Sequence, residues 1–249
     1  MPDHPDRYRF YGDLAPWWPL ISPPDDYKEE AAWTVTVLQR AAIPVKEVLE
    51  LGSGGGHNAV HLKAHFTMTL ADLSPEMLGL SRALNPECDH ILGDMRDLRL
   101  GRDFDAVFIH DAIDYMITEG DLRRTLDTAF AHCRPGGIAV LMPDDTAEMF
   151  EPSTEHGGED GPDGRGIRYL AWSWDPDPED TWIATDYAFI LRDAEGGTQL
   201  AHETHRTGLF EAKRWIALMV EAGFRAEAIV EETDDDRTPR LIFLGHRAL

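Results

Sequence analysis

The sequence predicts an α/β fold: a seven-stranded, mostly parallel sheet with helices on both faces, plus an antiparallel β insertion. Three observations lead there. Short apolar runs alternate with helix-patterned segments between residues 46 and 142, the connections are brief, and beyond residue 166 the pattern changes to the two-residue alternation of antiparallel strands. Strands covered on both faces read as unbroken apolar runs, so a parallel sheet is expected in the first part.

The elements follow in order. After an aromatic start, "YGDLAPWWPLISPPDDY", Ser22 with Pro23 and Pro24 reads as a helix start, and residues 27–42 carry apolar side chains at helical spacing until Pro44. Strands are predicted at 46–51, 67–72, 89–92, 104–110 and 137–142, with helices at 56–65, 75–84 and 119–133 and right-handed crossovers between them. Arg134-Pro135-Gly136-Gly137 reads as a structural turn that uses glycine's backbone freedom. "EPSTEHGGEDGPDGRG", from Glu151, is rich in Gly, Pro and acids and reads as a mobile surface loop. "IRYLAWSW", "TWIATDYAFILR" and "TQLAHETHRT" then read as three antiparallel strands parted by turns. The helix "LFEAKRWIALMVEAG" stops at Gly223, a good left-handed cap, and closing strands at 224–231 and 240–246 flank the acidic turn "TDDDRTP".

Bulk properties narrow the function. The 249 residues give a formal charge of −23, from 23 Lys+Arg against 46 Asp+Glu. Nucleic acids and anionic membranes both draw binding from basic clusters, so neither is an expected partner. Cys88 and Cys133 have no C-x-x-C spacing, which argues against a disulfide framework or a structural zinc site and fits two reduced thiols in the cytoplasm. The start "MPDHPDRYRF" has neither the basic nor the apolar part of a signal peptide, and runs such as "WIALMV" are too short to span a bilayer.

The chemistry concentrates in "VLELGSGGGHNAV", residues 48–60. The frame Gly54-x-Gly56-x-x-Ala59 matches dinucleotide sites, but there the first glycine follows the strand directly, and Gly52 holds that place. The frame from Gly52 reads Glu50-x-Gly52-x-Gly54-x-Gly56. Charge separates the two frames. A pyrophosphate seeks the bare N–H groups of a helix start, whereas a cationic ligand suits an acidic strand end. Asp72 closes the second strand in "LADLSPEML", where a carboxylate can accept two ribose hydroxyls in either class of site.

The run from Glu50 to Gly56, "DLSPEML", "GDMRDL", "RDFDAVFIHDAIDYM" and "AHCRPGGIAVL" together resemble the class I S-adenosylmethionine-dependent methyltransferases, over about residues 46–143. The resemblance implies a Rossmann-like fold with S-adenosylmethionine as cofactor. It assigns Glu50, Gly52, Ser53, Gly54 and Gly56 to the amino-acid end of the cofactor, Asp72 to the ribose, and Leu73, Asp94 and Met95 to the adenine. His110 and Asp111 leave the fourth strand beside the expected methyl group, and His110, Asp111, Asp114 or Tyr115 could serve as base. His110 is also a candidate cofactor contact.

Beyond residue 143 the layout, including "HETHRTGLFEAKRWIALMVEAGF", looks like sugar N,N-dimethyltransferases. There a histidine after the fourth strand is assigned to the reaction, and Tyr115 stands nearby here, a departure from that pattern. The implied organisation is a single domain: lid helices at 1–44, cofactor-binding core at 45–150, loop and strands over the acceptor at 151–207, closing elements at 208–249. Tyr11, Trp17, Trp18 and Tyr27 resemble an aromatic lid, with Tyr11, Trp18 and Tyr115 expected at the substrate, and the antiparallel strands would roof the acceptor or form a homodimer surface.

His57, His61 and His65 share one helix face at ligand-like spacing, although a solvated face is the simpler reading, and "HETH" at 202–205 is not a zincin motif, so no metal is expected. The expected function is methyl transfer to a small molecule, an amine ahead of a hydroxyl or carboxyl. A nicotinamide-dependent oxidoreductase and a non-catalytic S-adenosylmethionine-binding protein are the alternatives.

Overall fold

A computed structural model describes residues 8–231 and 240–249. The turn expected at 233–239 lies outside the described residues. Among the described residues the α-helices are α1 (Lys28–Leu38), α2 (His57–Leu62), α3 (Pro75–Leu84), α4 (Glu119–His132) and α5 (Ala212–Ala222). The main sheet contains β1 (Glu47–Leu51), β2 (Thr67–Asp72), β3 (Asp89–Leu92), β4 (Phe104–Ile109), β5 (Cys133–Leu141), β10 (Arg225–Val230) and β11 (Leu241–His246). A second sheet contains β6 (Ser153–Gly157), β7 (Gly166–Trp174), β8 (Trp182–Arg192) and β9 (Thr198–Gly208).

The main sheet runs β10-β11-β5-β4-β1-β2-β3, parallel from β5 to β3, with β11 antiparallel to β5 and to β10. Period-two side-chain direction sends Val48, Ala106, Phe108 and Val140 to one face, where Leu38 and Leu62 cover them. Leu49, Leu51, Val107 and Ile109 point to the other, against Leu122, Leu126, Trp215 and Leu218. Burying both faces fixes the sheet between its helices, and the reversal of strand order at β1/β4 opens a crevice at the carboxyl ends.

Local signals set the element ends. Ser74 caps α3 by accepting from the Met77 amide at 3.0 Å, Pro75 opens that helix, and Gly223 ends α5 at φ +111°. Two expectations change. Arg134–Gly137 is not a free turn but the bulged start of β5, tied down by Arg134 to the Asp105 carboxylate at 2.6 Å. The acidic segment after Phe150 is not wholly a loop, because Ser153–Gly157 forms β6, an edge strand paired antiparallel with β7. Its glycines and acids conceal the strand because one side of an edge strand needs no apolar residues.

The second sheet has its own small core. Ile167, Phe189 and Leu191 pack on Phe10 and Leu14 of the N-terminal segment, with Phe10 stacked on Phe189 at 4.8 Å. Among the described residues no helix is long and apolar enough to cross a membrane.

Candidate active site

Two cavities meet at the carboxyl edge of the parallel sheet. The first, of about 210 Å³, lies over the ends of β1, β2 and β3 and is lined in part by Gly52, Gly54, Asp72, Leu73, Asp94 and Met95. The second, of about 410 Å³, lies between the sheet edge and the inner face of β7–β9. Tyr11, Trp18, Asp111 and Tyr115 line both.

The glycine turn is shaped by contact as well as by backbone angle. Gly52 follows β1 at φ +71°, and a Cβ there would collide with Ala112 Cβ and Met95 Cε. Gly56, at φ +77°, faces elsewhere: its Cβ would strike Ser81 and Asn85 of the α3 region, so it serves close packing. Asp72 is held ready by two backbone donors, Gly54 N–H at 2.7 Å and Ser74 N–H at 2.8 Å. Burial raises its pKa above the ordinary value, and the two amides oppose that rise. The Asp94 carboxylate is engaged by the Arg96 guanidinium at 2.7 Å, which holds its pKa down against the effect of burial.

Glu50 and Ser53 line neither cavity. Glu50 is 2% exposed, has one oxygen without a partner, and is pushed by burial to about 8. The expectation of a standing negative charge at the strand end therefore changes: a buried carboxyl keeps its proton until a cation comes near.

The sequence predicts a base and cofactor contact at His110. The side chain lines neither cavity, its Nε2 meets Glu30 at 2.5 Å and its Nδ1 meets Asp111 at 3.2 Å. Burial pulls its pKa down, but Asp111 and Glu30 outweigh that and carry it well above 6.5. Both ring nitrogens thus lie against carboxylates, Nε2 also lies 3.1 Å from the Arg240 guanidinium, and the ring is enclosed by charged groups away from both cavities. Because the folded pKa is the higher one, the stability this network gives is complete below pH 6.5 and is lost as pH rises through the folded value. Thermal unfolding across pH is expected to show the advantage over His110→Asn shrinking above pH 6.5. A constant difference would remove the imidazolium from this account.

Tyr115 stands where the cavities join, and sequence alone did not single out its partners. Its hydroxyl lies 2.6 Å from the Tyr11 hydroxyl and 2.9 Å from His205 Nδ1, while His205 Nε2 lies 2.9 Å from Glu203 Oε1. The Glu203 carboxylate also accepts from the backbone amides of Arg9 at 2.8 Å and Phe10 at 3.0 Å. With the carboxylate accepting throughout, His205 carries its hydrogen on Nε2, and Nδ1 is left to accept from Tyr115. The alternation of β9 puts Glu203 and His205 on one face. That signal lay within "HETH", read above as part of a strand and of the family resemblance but not as a pair of site residues.

The helix histidines also differ from a solvated face: His57 is buried and held at about 4 by desolvation, His61 pairs with the Pro24 carbonyl at 2.8 Å, and only His65 is exposed. No cluster of metal-ligating side chains occurs among the described residues.

Comparison with known proteins agrees with this geometry. Residues 48–137 match a family model described as a methyltransferase domain. Over 222 residues the chain is 28% identical to the dTDP-3-amino-3,6-dideoxy-alpha-D-glucopyranose N,N-dimethyltransferase of Streptomyces fradiae, covering 88% of this chain and 86% of that one. The crystal structure of Streptomyces venezuelae DesVI has a TM-score of 0.83 at 25% identity, covering 95% and 99% of the two chains. The S-adenosylmethionine-bound CalS10, an amino pentose methyltransferase from Micromonospora echinaspora, gives 0.73 at 25% identity over 89% and 92%.

Fold and site thus define a class I S-adenosylmethionine-dependent methyltransferase, with S-adenosylmethionine as its cofactor. Within that class the chain is similar to sugar N-methyltransferases. The nicotinamide reading of the glycine turn gains no support, and it is Gly52, not Gly54, that follows β1.

Proposed function

We propose that the protein N-methylates a small amine, with the first cavity holding the cofactor and the second the acceptor. The observation that carries this reading is the Tyr115–His205–Glu203 chain at the junction of the cavities. S-adenosylmethionine supplies an electrophilic methyl group on a sulfonium.

In this reading the amino-acid end of the cofactor lies against the Gly52 and Gly54 backbone on the cavity wall, with Glu50 and Ser53 behind it and Gly56 bracing the turn. Asp72 accepts the ribose hydroxyls, Leu73 and Met95 enclose the adenine, and Asp94 receives its amino group. Asp111, paired with His110, adds negative charge beside the sulfonium. Tyr11 and Trp18 cover both ligands, consistent with a lid formed by the N-terminal segment.

An amine attacks only when neutral, so an acceptor arriving as ammonium must first lose a proton. The Tyr115 oxygen can take it as its own hydrogen passes to His205 Nδ1, leaving Glu203 to steady the imidazolium. Orientation in a water-poor site does the rest.

Asp72→Ala is expected to weaken cofactor binding by about 1–3 kcal/mol, since a buried charged acceptor is lost. Calorimetric titration with S-adenosylmethionine checks it, and unchanged affinity would take Asp72 out of the site. Transfer of a labelled methyl group to a panel of amines and alcohols tests the function itself; labelling of alcohols alone would overturn the amine reading.

A cytoplasmic setting fits two free cysteines, one of them buried. A homodimer fits the outer face of the second sheet, where Leu170, Trp172, Ile190 and Leu200 are exposed on one side. Sedimentation analysis reads that directly.

A further inference from the structure

The second cavity carries a charge pattern that the similarity to nucleotide-sugar enzymes does not predict. Six carboxylates line it: Asp111, Asp114, Asp144, Asp145, Glu151 and Glu155. No lysine or arginine lines it among the described residues. Asp111 is matched by His110, and Asp144 by the Arg240 guanidinium at 3.0 Å. The other four have no ion pair among the described residues. The dTDP-sugar named for the Streptomyces fradiae relative carries a diphosphate. Bringing that anion into this cavity would set like charge against like, with no guanidinium or ammonium to receive it.

A second observation points to the sign of the ligand. Asp114 is 5% exposed; its Oδ2 accepts from the Asp144 amide at 2.9 Å, but its Oδ1 is buried in the cavity wall without a partner. Buried polar atoms are ordinarily satisfied, so an orphaned carboxylate oxygen on a cavity wall marks a place for a donor. Enclosure, and then the nearby Asp144, raise the Asp114 pKa well above the ordinary range; enclosure and Asp111 carry Asp144 to about 6. The enclosed Asp114 carboxyl gives up its proton most readily when a cation comes near. The Tyr187 and Tyr169 rings on the opposite wall add faces that attract an ammonium.

We propose that the acceptor bears two or more amino groups and no phosphate, one amine lying at Tyr115 and another, as ammonium, among Asp114, Asp145, Glu151 and Glu155. This rests on the N-methylation reading above and specifies its substrate class as a di- or polyamine, whether linear or a diamino sugar or cyclitol.

The test uses the full chain saturated with S-adenosylhomocysteine, titrated calorimetrically with spermidine, 2-deoxystreptamine and thymidine diphosphate. At least one amine is expected to bind, with affinity falling on the order of tenfold in Asp114→Asn and in Glu155→Gln, and thymidine diphosphate is expected not to compete. Glu155 is exposed on an edge strand, so its variant keeps the test alive should Asp114→Asn fold poorly. Failure of both amines to bind, tight binding of thymidine diphosphate, or indifference of amine binding to both variants overturns the inference. A methyl-transfer assay on the same ligands separates the two readings. Methylation of a dTDP-amino sugar in preference to the diamines sinks the inference and leaves N-methylation standing, whereas diamines that bind without ever gaining a methyl group sink N-methylation and leave the cation site standing.

Discussion

Tyr115→Phe is expected to lower kcat by about 10²–10⁴-fold while S-adenosylmethionine affinity changes far less, the range found when a positioned proton-transfer group is removed. The variant keeps the ring that fills the junction and deletes only the oxygen that links Tyr11 to His205. His205→Ala should cost a similar factor, because without Nδ1 the phenol has nowhere to pass its hydrogen. It also removes a ring stacked on Tyr8 at 3.9 Å, so a structural contribution must be separated. The pH profile does that. A proton-relay role shifts or abolishes the acidic limb of kcat/KM, and added imidazole restores part of the His205→Ala rate; a packing role does neither. Full turnover in Tyr115→Phe would end the relay assignment.

Arg240→Ala is expected to destabilise the fold by about 3–5 kcal/mol, the usual result of removing one partner from a buried ionic cluster. The guanidinium is 12% exposed and meets three carboxylates: Glu30 of α1, Glu231 at 2.8 Å and Asp144 at 3.0 Å. Glu30 and Glu231 are themselves 3% and 4% exposed, so neither can turn to water when the cation is gone. Urea unfolding should show the midpoint falling with little change in slope. A loss below about 1 kcal/mol, the value of a surface pair, would mean that solvent reaches the cluster. A second consequence is local. Glu30 also holds His110, so a lost Arg240 disturbs the ion pair that keeps Asp111 in place beside both cavities.

The main sheet was legible because its strands are doubly covered. The cores of β1, β2 and β4 are apolar and buried, and α3 covers the expected residues 75–84. Helix ends were less so: α2 stops at Leu62 rather than at 65 because the chain turns off through Lys63 and Ala64 with backbone bonds of its own. β6 was missed because an edge strand facing a polar cavity has no apolar signature. The placement of Asp72 and Gly52 at the carboxyl edge was legible because the turn and strand end are local features, while their roles came from the family resemblance. His110 was less legible. Its position after β4 suggested chemistry, whereas Glu30, some eighty residues earlier, decides its charge. His205 and Glu203 were obscured for the same reason, as their partners Tyr115 and Arg9–Phe10 come from distant parts of the chain.

Glu203 joins two duties. The carboxylate that orients His205 also fastens the main chain at Arg9 and Phe10, so the segment drawn across the ligands and the proton acceptor beneath it share one latch. Any movement of that segment must break two hydrogen bonds to the same carboxylate that holds His205, which couples the cover to the histidine through one side chain.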